Sequence, residues 1–184
     1  MAIINGNILL VGLRGLLGDQ LLLRRDKAGR TIVSVRPRFD PHRKFSLPQI
    51  ARHNAFREAA AYAMTAKNNP LYLARTQGTP LNAYNLAISD WLRPPEILDL
   101  DPGGWTGQPG QVLRVTAVDN VLVTDVSISI TLPDGALVEQ GPATQLDDLH
   151  WEYRTTCPTA GPLLVTALAH DLPGHAACKT RHIA

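Results

Sequence analysis

The spacing of apolar and polar positions divides the chain into three stretches. In residues 1–45, the segments "AIINGNILLV", "DQLLLRRD" and "RTIVSVRP" read as extended, with turn residues at Asn5-Gly6 and Ala28-Gly29. A half-buried strand alternates apolar with polar. Here Leu21, Leu22 and Leu23 are consecutive, and Ile32, Val33 and Val35 follow across the turn. A ribbon of that kind is apolar on both sides and needs cover on both. Gly12, Gly15 and Gly18 recur at every third position. Their spacing is not the dinucleotide fingerprint, and they read as sites of flexibility or close backbone approach.

Residues 46–95 switch to a helical period. Ser46 opens a Ser-x-x-Gln capping box with Pro48 in the first turn, and Ile50, Phe56, Ala60 and Ala63 fall near one face before "NNP" closes the run. A second helix is predicted from "TPLNAYNLAISDWL", capped by Thr79, with Leu81, Tyr84, Ala87, Ile88 and Trp91 as its stripe and Pro94-Pro95 as its stop. Two short helices with one stripe each cannot enclose a core, so they must lie against the ribbon or the following domain.

From residue 96 the period becomes two. Seven strands are predicted: "EILDL", "QVLRVTAV", "LVTDVSISITL", "ALVEQG", "LHWEYRTT", "LLVTALAH" and "AACKTRHI", with Pro133-Asp134-Gly135 a strong turn. So many short strands in this length argue for a sandwich of immunoglobulin-like type. The antibody Cys…Trp…Cys order is absent, because Trp151 precedes both cysteines. The expected fold is mainly β with a small helical segment: an extended β-arm and hairpin (1–45), a two-helix segment (46–95) and an Ig-like β-sandwich (96–184).

Composition adds little until the charges are placed. No uninterrupted apolar run is long enough to span a bilayer, since "NILLVGLRGLLGDQLLL" is broken by Arg14 and Asp19. That stretch also has no basic segment before it and no small-residue cleavage site after it, so no secretory signal is recognisable. Net charge is +2. Residues 1–93 hold fourteen Lys/Arg against five Asp/Glu, while residues 94–184 hold four against eleven, giving +9 and −7. Opposed halves suit a nucleic acid, an acidic surface, or head-to-tail contact with another copy. Only the last uses both halves.

The stretch "VTAVDNVLVTDVSISITLPDGALVEQG", with "HWEYRTT" and "LVTALAHDLPGH" downstream, resembles Ig-like repeats of bacterial surface proteins. Asp119 and Asp171 hold the loop-opening and domain-closing aspartate positions of those repeats, and His175 stands where Asn is usual. With "GRTIVSVRPRFD", the Gln49…Arg52…Phe56 spacing and "YNLAISDWLRPPEI", the chain is similar to an uncharacterised bacterial family. That family joins a Gly-rich N-terminal β-arm and short helices to a C-terminal Ig-like domain. The resemblance implies a helical surface filament whose subunits exchange strands.

Chemistry-bearing residues are sparse. "HDLPGHAACKTRH" crowds His170, Asp171, His175, Cys178 and His182, but the spacing matches no zinc finger or knuckle. Asp99, Asp101, Asp147 and Asp148 are expected in loops, without an EF-hand pattern. No nucleophile elbow or phosphate loop occurs, so neither an enzyme nor a cofactor is expected. Cys157 and Cys178 are placed as a possible disulfide between strands of one sandwich. Ten Lys/Arg lie between Arg24 and Arg57, interleaved only by Phe39, Phe45 and Phe56, which is a poor nucleic-acid surface.

The sequence therefore favours a structural subunit of a homopolymer outside the cell, whose partners are other copies of itself. Ile3, Ile4, Ile8, Leu10, Leu21, Leu23, Ile32 and Val35 are the expected apolar contacts, with Arg24 and Arg25 pairing to an acidic neighbour. The alternative is a monomeric Ig-like module for a glycan or other surface ligand, using Trp105 and Trp151, or a virion decoration or tail component.

Overall fold

The computed structural model describes residues 13–26 and 28–183, together with the backbone of residues 2–4. Ile8, Leu10, Gly12 and the Asn5-Gly6 turn lie outside the described residues. The protein is mainly β, with three antiparallel sheets and three helices among the described residues.

The N-terminal sheet contains β1 (Ala2–Ile4), β2 (Gly15–Leu17), β3 (Leu21–Arg25) and β4 (Thr31–Val35), in the order β1-β4-β3-β2. Gly18 (φ 58°) and Asp19 (φ 56°) make the tight reversal between β2 and β3 in the left-handed region. Between β3 and β4, Asp26 accepts from the Arg30 backbone N–H (2.8 Å) and its Nε (2.7 Å), closing the turn around Gly29 (φ 78°).

Three helices follow, not two: α1 (Leu47–Ala66), α2 (Pro70–Thr76) and α3 (Ala83–Trp91). The "NNP" step ends one helix and starts another, because Asn69 accepts from the Leu71 N–H (2.9 Å) and Pro70 opens α2. Asn82, not Thr79, caps α3, accepting from the Asn85 N–H (2.7 Å). Ala59, Ala63, Tyr72, Ala83, Ala87 and Ile88 form a small core. Val121 from the sandwich belongs to it, and Leu122 and Leu172 pack against it. The helices thus lie against the next domain, one of the two places open to them. The expected α1 stripe is only half right: Ala63 is buried and Ala60 half-buried, but Ile50 and Phe56 are exposed, and the buried neighbour of Ala63 is Ala59, outside the stripe.

The sandwich holds all seven expected strands, β5 (Glu96–Asp101), β6 (Val112–Val118), β7 (Val123–Thr131), β8 (Leu137–Pro142), β10 (His150–Arg154), β11 (Leu163–Asp171) and β12 (Ala176–Ile183). A two-residue β9 (Thr144–Gln145) is added. One sheet runs β5-β6-β10-β9 and the other β12-β11-β7-β8. Burial alternates strictly along β11, and the inward positions Leu163, Val165, Ala167 and Ala169 meet Leu113, Val115, Ile128, Ile130 and Trp151 in one core.

Hydrogen bonds stitch the sandwich at both open sides. On one, the ladder skips Leu98 at a bulge in β5; Lys179 of β12 donates to the Leu98 carbonyl, and Arg181 donates to that of Leu100 (2.8 Å). On the other, buried Glu139 of β8 accepts from the Tyr153 hydroxyl (2.6 Å), the Thr156 N–H (2.9 Å) and the Cys157 N–H (2.8 Å). Burial pushes its carboxyl up, but these donors outweigh burial and hold it below the usual carboxylate range. No helix among the described residues is long and apolar enough to cross a membrane.

Glu139→Ala orphans three donors at once and should lower stability by about 2–4 kcal/mol at neutral pH, measured by urea unfolding. Because the native carboxyl is held low, the wild-type advantage is present above the ordinary carboxylate range. It should shrink as acid protonates Glu139.

Candidate interaction surface

The register of the N-terminal sheet puts apolar residues on both faces. Leu17 of β2 lies opposite Leu21 of β3, which lies opposite Val35 of β4, making a continuous row. These side chains are 52%, 37% and 74% exposed. On the other face Leu16 stands opposite Leu22, itself half-buried. Leu13 and Leu16 are also about half exposed. Shallow hollows flank the ribbon, one of about 260 Å³ at Asp19, Leu21, Val35, Arg36 and Arg38, and one of about 200 Å³ at Leu13, Leu16, Leu17 and Leu23. The Arg36–Asp19 ion pair sits at the first.

Among the sequence-predicted contacts, Leu21 and Val35 lie on this exposed row. Leu23 and Ile32 are buried, although neither belongs to the sandwich core or the helical core. They are already sheltered, and Leu13, Leu16 and Leu17 take their place at the surface. Ile3 pairs with Ile32 and Ile4 with Thr31 on the edge strand β1. Arg24 stands opposite Ile32, and Arg25 donates through Nε to the Gly29 carbonyl (2.9 Å).

A second exposed patch escaped the sequence reading. Phe39 (75% exposed), Phe45, Leu47 (83%), Ile50 and Phe56 surround the link into α1 and its first turns. The Arg43 guanidinium lies 5.1 Å above the Phe45 ring, and His53 meets that ring edge-on at 4.7 Å.

Other candidates are dispersed. Cys157 and Cys178 are free thiols, correcting the expected disulfide. Cys157 sits at the β8 side and Cys178 on β12, three strand spacings apart in the order β12-β11-β7-β8. Three spacings are about 14 Å, beyond the reach of a disulfide. His170 pairs with Asp125 (2.9 Å) and His175 with Asp171 (3.2 Å), while Cys178 is exposed on β12. Asp99 and Asp101 are strand residues of β5, not loop residues. Asp147 accepts from the Leu149 N–H and from His150, which lower its carboxyl to about 2. Trp151 is in the core and Trp105 packs half-buried against it, so neither offers an open aromatic platform.

Where the helices meet the sandwich, a polar cluster is buried. Asp90 of α3 is fully buried and accepts from the Tyr72 hydroxyl (2.5 Å), which lies 2.9 Å from the Tyr62 hydroxyl. Asp119, in the β6–β7 loop, accepts from the Val121 (2.7 Å) and Leu122 (2.9 Å) N–H groups. Buried Asp171, the last residue of β11, accepts from the His175 N–H (2.6 Å), and the His175 ring stands edge-on to Trp91 at 4.7 Å.

No family model matches the chain, and no curated protein matches it. Solved structures resemble part of the chain loosely. CopC from Methylosinus trichosporium OB3b is 20% identical with a TM-score of 0.38, over 48% of this chain and 89% of its own. A conjugative transposon lipoprotein from Bacteroides eggerthii is 11% identical with a TM-score of 0.29, over 48% of this chain and 93% of its own. A lipoprotein from Bacteroides thetaiotaomicron is 13% identical with a TM-score of 0.28, over 48% of this chain and 76% of its own.

Changing Leu17, Leu21 and Val35 together to Thr should lower folding stability by only about 2–4 kcal/mol, because the row is no more than half-buried. The same change should sharply reduce binding of a hydrophobic dye, and fluorescence titration reads that loss directly.

Proposed function

We propose that the protein is a structural subunit that assembles head to tail with copies of itself, its N-terminal ribbon lying on a neighbour. The observation that carries this reading is the exposed row Leu17-Leu21-Val35, on a sheet whose buried residues belong to neither core. A single-layer sheet with apolar residues on both faces is normally covered by a second layer. Basic and acidic residues divide between the two halves of the chain, which supplies the polarity a head-to-tail contact needs.

Strand exchange fits the register. β1 forms one edge of the sheet, pairing Ala2 with Val33, Ile3 with Ile32 and Ile4 with Thr31. The same three pairs made between copies would be a swapped strand, with no new surface required. A contact of this heterologous kind that does not close into a ring continues as a filament.

The ribbon row alone is a modest adhesive. Completing the burial of its three partly exposed side chains yields about 2–5 kcal/mol gross. Association entropy consumes much of that. The Phe39, Phe45, Leu47 and Phe56 patch adds apolar area next to the same basic segment. The reading as a glycan-binding module needs an exposed aromatic platform, and both of its tryptophans pack on the core. A filament subunit of this type would work outside the cell.

Size-exclusion chromatography with negative-stain imaging tests the proposal. The full chain should form extended particles, and a chain lacking residues 1–18 should give only a folded monomer. A full chain that stays monomeric across wide ranges of concentration and salt overturns it. Arg24→Glu with Arg25→Glu should weaken assembly most at low ionic strength, where charge attraction is least screened.

A further inference from the structure

The joint between helices and sandwich holds more acceptor oxygens than donors. Asp90 Oδ2 takes the Tyr72 hydroxyl, but its Oδ1 is buried without a partner. Asp119 Oδ2 takes two backbone N–H groups, and its Oδ1 is likewise buried and unpaired, as is Asn120 Oδ1. Orphaned acceptors of this kind are rare in native proteins. Asp119 faces Asp90 closely enough for their carboxyl groups to hydrogen-bond. Two facing carboxylates in a buried site repel, and one proton between them replaces repulsion with a hydrogen bond.

We propose that a proton held between Asp90 and Asp119 latches the helical unit to the end of the sandwich, and that the joint loosens when this proton is lost. Two backbone N–H groups already occupy Asp119 Oδ2. Asp90 carries the proton, since it sits in α3 with no backbone donor on its free oxygen. The groups facing the pair come from every element packed around it: Tyr62 of α1, Tyr72 of α2, and Asp171 of β11 with its partner His175 from the β11–β12 turn. Arg75, at the end of α2, lines a hollow of about 150 Å³ beside Asp119 and Asp148.

The electrostatics run in the same direction. Burial first, then the Asp119 and Asp171 charges, push Asp90 from 3.8 up to about 7, although the Tyr72 hydrogen bond opposes them. With the folded value above the unfolded one, the latch contributes fully below pH 3.8 and is lost as pH rises through about 7. Asn at position 90 can accept from Tyr72 and donate to Asp119, so it imitates the protonated acid at every pH.

Thermal melting of dilute wild-type and Asp90→Asn protein at pH 5 and pH 8.5 tests the latch. Subtracting one fall in Tm from the other removes contributions common to both proteins, including those of His175 and Asp171. The wild-type Tm should fall by about 5–10 °C more than that of Asp90→Asn over this interval. Equal falls overturn the proposal. If Asp90→Asn does not fold, Asp119→Asn takes its place, because an amide at 119 lets Asp90 ionise without repulsion. Its fall should then be the smaller one, and an undiminished fall overturns the proposal equally.

Discussion

The burial of apolar surface in layers governs this protein, and the N-terminal ribbon is where the layers run out. The sandwich meets the requirement internally, with two sheets facing each other over Leu113, Val115, Ile128, Ile130, Trp151 and Val165. The helices meet it by sharing Val121 with the sandwich. The ribbon has four short strands among the described residues, and its row Leu17-Leu21-Val35 stays partly open to water. The reading of function follows from that difference.

The stitches along the sandwich tie its two sheets together at both open sides. Lys179 and Arg181 reach across to β5 carbonyls on one side, and Glu139 gathers three donors on the other. Sandwich edges that would otherwise be open to pairing are occupied by side chains of the same molecule.

Much of the fold was legible because period-two alternation survives wherever one face is buried. "VSISI" and "LLVTALAH" alternate in the sequence and again in burial, so β7 and β11 were visible at once. β9 was not, since two residues cannot display a period. α2 was missed because Asn69-Pro70 marks both an end and a start, and capping chemistry is shared by the two. Ile50 and Phe56 have helical spacing but no facing element, so periodicity alone placed them wrongly in a core. The polar joint was beyond the sequence altogether: Tyr72, Asp90 and Asp119 come from two helices and a loop, and nothing local connects them. The interface residues divided in the same way. Leu21 and Val35 are exposed as the ribbon pattern implied, whereas Leu23 and Ile32 are covered by contacts that pattern does not encode.

The most direct measurement is cross-linking in an equal mixture of unlabelled and 15N-labelled chains, with a photoreactive residue replacing Leu17. If another copy covers the ribbon, adducts will join peptides of unlike isotope composition in abundance. Adducts confined to peptides of the same label, whatever the protein concentration, would mean that the ribbon finds its cover within its own chain and would contradict the account.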